Sequence, residues 1–236
     1  MNMHWSAPTP LIEGTLIKRY KRFMADIRLA DGSIVTAHCA NTGSMKGCKP
    51  DGAPVLISAA DDPKRKLKFT WELVNLNGTW VGINTGRPNR IVEAAITDGT
   101  IAELNPFASM RREVKYGGNS RIDILLTADD GTLTYVEVKN TTLAEDGIAS
   151  FPDSVTERGT KHMRELANMA AEGHRAAVVF LVHRDDCHVF KPADDIDPTY
   201  GEALRDAAKA GVMLLPYMAT CGPDGVKVIK KLPVEL

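Results

Sequence analysis

The stretch SRIDILLTADDGTLTYVEVKN, residues 120–140, constrains the fold of this chain more than any other. Two runs of Ile, Leu, Val and Tyr flank Asp129-Asp130-Gly131, and a three-residue loop with glycine in the left-handed position is a common hairpin connection. That loop pairs Ala128 with Thr132 and fixes every pair beyond it. Leu125 falls opposite Tyr135, Asp123 opposite Glu137, and Arg121 opposite Lys139. Because strand side chains alternate, Ile122, Ile124, Val136 and Val138 form an aliphatic face, and Asp123, Glu137, Lys139 and Arg121 share the other. A two-residue turn would set Asp123 against Val138 and mix both faces.

Two carboxylates directly opposed across a strand pair repel, at a cost of up to about 1 kcal/mol when wet and more when desolvated. A positive partner is therefore expected. Lys139 and Arg121 can supply it as an exposed ion-pair ladder. The alternative is a hard divalent cation held by Asp123 and Glu137, since magnesium asks for only one or two protein carboxylates and completes its shell with water and substrate phosphate. Lys139, two residues past Glu137 on the same face, is then placed to orient or deprotonate an attacking water or to stabilise a pentavalent phosphate.

Upstream, residues 11–83 read as short strands broken by turn residues. The expected strands are 11–19, 23–29, 34–38, 55–58, 68–76 and 80–83, a spacing that predicts a small barrel, OB-like or SH3-like. Pro88 opens a helix with an apolar stripe of Ile91, Val92, Ala95 and Ile96, and a short turn at 101–104 follows. Strands are expected at 111–116, 121–128 and 132–139. A helix at 155–172, a buried strand within 174–183, a helix at 199–210 and a strand at 212–217 complete a mixed sheet with helices on its faces. The expected division is a barrel over residues 1–83 and an α/β domain over 84–236, an α+β chain of two domains.

Net charge is −1, but residues 1–83 carry +4 and residues 84–236 carry −5. A basic first part suggests phosphate contacts there. The four cysteines, Cys39, Cys48, Cys187 and Cys221, show no CxxC pair and no regular spacing, so free, partly buried thiols are expected; the alternative is a transition metal at the cluster His183-Arg-Asp-Asp-Cys187-His188, which lacks a second ligand pair. The opening MNMHWSAPTPL lacks the apolar core of a secretory signal, and the longest apolar run, 176–182, is too short to span a bilayer. A cytoplasmic protein without a membrane partner is expected.

The D…E-x-K hairpin inside an α-β-β-β-α-β order resembles the PD-(D/E)xK nuclease superfamily. The wider sequence is similar to the bacterial sugar fermentation stimulation protein A family. That likeness rests on RYKRFMADI, HCANTGSMKGC, KRKLKFTWEL, NRIVEAAI, EVKYGGNSRIDILL, YVEVKN, FPDSVTERGTKHMREL and the closing LPVEL. The resemblance implies an N-terminal OB-like domain, a nuclease-like C-terminal domain, DNA as partner and a Mg2+ or Mn2+ cofactor, with a link to maltose and other sugar utilisation. Asp123, Glu137 and Lys139 match the nuclease motif by position; Ile122 stands where its proline would.

A third carboxylate is expected from Glu113 or, on the preceding helix, Glu93, with Glu113 preferred. In TERGTKHMREL, Lys161 is the expected site-edge cation and Arg158 a phosphate contact; the bland alternative is a Glu157–Lys161 pair on a solvated face. The clusters KRYKRF and KRKLKF interleave cations with an aromatic, so Lys18, Arg19, Lys21, Arg22, Lys64, Arg65, Lys66 and Lys68, with Arg121, are the expected nucleic-acid contacts. The bland alternative there is a pair of lysine-protected edge strands. Asn84 and Asn89 are read as capping and tying the linker helix. Two functions follow: a DNA-binding protein with a magnesium-dependent phosphodiesterase site, or a non-catalytic, largely sequence-nonspecific DNA-binding regulator of sugar metabolism. Oligomeric state is open, a homodimer included.

Overall fold

A computed structural model describes residues 3–7, 9–118 and 120–236. The first part is a barrel of β1 (Ile12–Tyr20), β2 (Met24–Leu29), β3 (Ile34–His38), β4 (Pro54–Ala59) and β5 (Phe69–Leu76), with β6 (Thr79–Gly82) extending its edge. The strands run β3-β2-β1-β4-β5, and β3 returns parallel to β5 through Ala37↔Phe69 and His38↔Thr70. This parallel closure makes the barrel OB-like and removes the SH3-like alternative. Leu16, Ile27, Val55, Ile57, Trp71 and Val74 fill it, all essentially buried.

The second part begins with α1 (Pro88–Thr97) and a 3-10 turn (Ala102–Leu104). It continues through β7 (Ser109–Tyr116), β8 (Ser120–Thr127), β9 (Leu133–Thr141), β10 (Leu143–Glu145) and β11 (Ile148–Phe151) to α2 (Glu157–Ala171). The remaining elements are β12 (Arg175–Val182), β13 (Val189–Pro192), α3 (Pro198–Lys209), β14 (Met213–Gly222) and β15 (Gly225–Lys231). The main sheet runs β15-β14-β12-β9-β8-β7, with β9, β12 and β14 mutually parallel. Its central strand β12 is buried on both faces, as its unbroken apolar run demands. Ile91, Val92, Ala95 and Ile96 of α1 cover one face with Ile124, Val136, Val138 and Val179. Met163 and Leu166 of α2 and Leu204 of α3 cover the other with Val178 and Phe180.

Four strands went unanticipated: β10, β11 and β13, which form a small separate sheet, and β15. The start of the chain also departs from the barrel it was assigned to. Trp5 bridges Val226 on β15, and His4 Nε2 meets Asp98 at 2.8 Å beyond α1, so both residues pack on the second sheet.

The two parts are joined at polar contacts. Gly82 N–H donates to the His183 carbonyl at 2.8 Å, and Ser44 Oγ and the Met45 N–H both donate to Asp153. Glu72 of β5, 1 % exposed, accepts from Ser58, Asn84 and Arg87 and so ties the barrel to the linker.

Candidate metal and phosphodiesterase site

The hairpin turn forms as its sequence dictates. Ala128 N–H donates to Thr132 O at 2.9 Å, Gly131 takes φ +85°, and Asp130 Oδ1 accepts the Thr132 N–H at 2.8 Å. The resulting register runs Thr127↔Leu133, Leu126↔Thr134, Leu125↔Tyr135 and Ile124↔Val136. There the ladder stops. Instead of a backbone pair between Asp123 and Glu137, the Asp123 carboxylate accepts the Val138 N–H at 2.8 Å. The strands part at this point, and a side-chain oxygen replaces the missing ladder acceptor.

The parting changes the faces. Arg112 and Ile124 are register partners on the α1 side, where Arg112 pairs with Glu93 and Ile124 sits in the core. Val114 and Ile122, the next same-parity pair, pack on the α2 side. Ile122 therefore leaves the aliphatic face expected for it. The switch happens between the two pairs, at Asp123 and at Glu113, whose φ of +51° is left-handed.

On the α2 side of β9, Glu137 is 3 % exposed and Lys139 Nζ donates to its Oε1 at 2.7 Å. His162 of α2 also hydrogen-bonds that oxygen through Nδ1. Arg158, one turn back, donates to His162 Nε2 at 3.4 Å, which leaves the ring proton on Nδ1 for Glu137. From the other side, Asn89 of α1 donates its amide to Asp123 Oδ1 at 3.0 Å. Burial, and then the charge of Glu137, push the Asp123 carboxyl above its ordinary range. Burial also pushes Glu137 up, but the His162 hydrogen bond and the Lys139 charge outweigh it and hold Glu137 below that range. The Tyr116 phenol is raised by burial and by the charges of Glu137, Glu165 and Asp123.

Asp123, Glu137 and Lys139 are thus brought together. Glu113 is exposed and makes no side-chain hydrogen bond or ion pair among the described residues, whereas Glu93 is buried against Arg112. Lys161 reaches Glu165 at 3.6 Å, not Glu157; the α2 residue that touches Glu137 is His162, one position on. Arg121 is exposed and pairs in register with Lys115 of β7, not with Lys139. Asn89 does not cap α1, whose N-cap is Arg87, and neither Asn89 nor His162 carries a sequence signal for its contact.

The barrel cations divide. Arg19 is spent on the carbonyls of Arg22, Asn41 and Gly43, and Arg22 on that of Thr42, so both brace loops. Lys68 donates to Pro63 O at 2.6 Å, and Lys18 stands over Tyr20, 4.0 Å from Asp26. Lys21, Lys64 and Lys66 are exposed, and Arg65 bonds Thr70 Oγ1 at 3.2 Å.

Among the described residues, no three His, Cys, Asp or Glu side chains converge as a ready metal cluster. The donor set is nonetheless one for a hard cation. It consists of two carboxylates, and Glu137 Oε2 is buried with no hydrogen-bond partner. An ionised oxygen in that state is costly unless a cation meets it, so the residues fit magnesium or manganese.

The family models agree with this architecture. The "SfsA N-terminal OB domain" matches residues 17–83, and the "Sugar fermentation stimulation protein RE domain" matches residues 86–225. The chain belongs to the sugar fermentation stimulation protein A family. Family members described as sugar fermentation stimulation protein homologs include one from Geotalea uraniireducens, 54% identical over 229 residues, which cover 97% of this chain and 99% of that one. Another, from Maricaulis maris, is 54% identical over 230 residues, covering 97% and 98%. A solved family structure, Pyrococcus furiosus SfsA in complex with Ca2+, superposes with a TM-score of 0.90 at 26% identity over 100% of both chains.

Proposed function

We propose that the chain is a DNA-binding protein that hydrolyses phosphodiester bonds with a divalent cation at Asp123 and Glu137. The observation that carries this reading is the buried, unpartnered Glu137 Oε2 beside the half-buried Asp123 carboxylate and a lysine. Calcium in the Pyrococcus furiosus relative supports it, because Ca2+ and Mg2+ both select oxygen ligands. Asp123 and Glu137 hold the ion, which when bound neutralises phosphate charge and lowers the pKa of water. His162 and Asn89 fix the orientation of the two carboxylates. Lys139 orients the attacking water and stabilises the negative charge that develops on the phosphate. The basic residues of the barrel that the loops leave exposed, Lys21, Lys64 and Lys66 among them, hold the strand. Four cysteines, all free, suit a cytoplasmic setting.

One observation favours the second reading, a non-catalytic DNA-binding regulator of sugar utilisation. Glu137 Oε1 already carries both Lys139 and His162, so the face is held together by protein groups alone.

Calorimetric titration of Mg2+ and Mn2+ tests the proposal without relying on turnover. The wild type binds one ion and its unfolding midpoint rises with metal concentration. Asp123→Asn and Glu137→Gln lose both effects. Equal binding by wild type and Glu137→Gln removes the proposed site.

A further inference from the structure

An open cleft of 520 Å³ lies where the barrel meets the linker to α1. Arg65, Lys66 and Arg87 line it together with His38, Thr70 and Asn84. Its apolar wall is Leu67 and Ala40, and among the described residues no Phe, Tyr or Trp and no carboxylate lines it. The nearby acid is Glu72, and its two oxygens are already used by Ser58, Asn84 and Arg87. Glu72 thereby fixes the Arg87 and Asn84 side chains and leaves the cleft with the uncompensated charges of Arg65 and Lys66, neither of which forms an ion pair among the described residues. Fixed cations on a concave wall free of acids select an anion.

The position of the cleft says which anion. Arg87 lines it, and Asn89, two residues on, donates to Asp123. Two residues of chain span at most about 7 Å between Cα atoms. The cleft therefore lies beside the helix start that reaches Asp123, and an anion with charges repeated along a chain is the kind that fits both places.

We propose that the cleft seats a backbone phosphate of a nucleic-acid strand and delivers a neighbouring phosphate to Asp123, Glu137 and Lys139. This deepens the function proposed above and rests on it for the fate of the delivered phosphate. Its cations hold the backbone, and backbone contacts carry no sequence information. Of the barrel's basic residues, Arg65 and Lys66 make this contact. Arg87, His38 and Asn84 join them, none of which stands out as a basic cluster in the sequence.

The test is fluorescence anisotropy of labelled DNA and RNA oligonucleotides in EDTA, across a salt series, with wild type, Arg65→Ala/Lys66→Ala and Lys230→Ala. Arg87 stays intact because it is the partner of buried Glu72. The double variant binds about tenfold more weakly, and its slope of log affinity against log salt falls by about 1–2. Lys230→Ala, on the exposed edge of β15, matches wild type. In a second measurement, pyrophosphate shifts the His38 ring resonances of wild type and not those of the folded double variant. An unchanged salt slope together with unmoved His38 resonances overturns the proposal, as does a wild type that binds neither oligonucleotides nor pyrophosphate. Cleft-dependent binding with no cleavage by any form leaves this inference standing and removes the nuclease. Cleavage undiminished in the double variant does the reverse.

Discussion

Asp123 accepts the backbone N–H of Val138 at 2.8 Å across the point where β8 and β9 part. One carboxylate oxygen is thus used to end a β-ladder, and the same residue is set beside Glu137. Its other oxygen takes the Asn89 amide. The carboxylate is both a structural acceptor and a candidate ligand, and substitutions separate the two roles.

Asp123→Asn keeps an acceptor for Val138 and removes the repulsion with Glu137. Because burial and Glu137 raise the Asp123 carboxyl, its ionised form opposes folding at neutral pH. The variant should be more stable than the metal-free wild type by about 1 kcal/mol. Asp123→Ala leaves Val138 unsatisfied and should be less stable by about 1–3 kcal/mol. Calorimetric unfolding in EDTA checks both signs, and a destabilised Asp123→Asn contradicts this account of the carboxylate pair.

His162 steers Glu137 and touches no substrate in this account. His162→Ala should lower metal affinity or cleavage about 10–100-fold while leaving single-strand binding in EDTA unchanged. A parallel loss of DNA binding would point to a damaged fold.

How far the site is legible in sequence follows from which forces are local. The register came from Asp129-Asp130-Gly131 because a turn acts over three residues, and Ile124↔Val136 obeys it. The parting at Asp123 did not, because nothing in alternation says that a side chain will displace a backbone acceptor. The left-handed Glu113 and the inward turn of Ile122 follow from that same break. The contacts of His162 and Asn89 arise from packing α2 and α1 on opposite faces of one sheet, a tertiary fact. For β15 a signal was present: Pro223-Asp224-Gly225 is turn chemistry, and Val226 and Val228 beyond it alternate into the core.

Gly82 and His183 test the junction of the two parts. A Cβ on Gly82 would lie 2.2 Å from the His183 ring, which is 1 % exposed and has no room to turn aside. Gly82→Ala should cost roughly 1–3 kcal/mol. A lowered unfolding midpoint registers it; an unchanged one would mean the two parts separate without penalty.

His183 also makes the fold acid-sensitive. Burial pushes its pKa down to about 4, and its Nδ1 is paired with Asn140 Oδ1 at 3.0 Å while Nε2 has no partner. The unfolded imidazole takes up a proton near pH 6.5 and the folded one does not. Stability is therefore full above pH 6.5 and falls between pH 6.5 and 4, by roughly 3 kcal/mol from this group. Urea unfolding at pH 7 and pH 4.5 should show a steeper loss for wild type than for His183→Gln. Identical losses would place the acid sensitivity elsewhere.

Metal-dependent phosphodiester cleavage is read on DNA itself. Single- and double-stranded DNA are incubated with wild type, Asp123→Ala and Lys139→Ala, with and without Mg2+ or Mn2+. Wild type should cleave only when metal is present, and neither variant should cleave. Tight, salt-sensitive binding with no cleavage by any form would contradict the proposed activity.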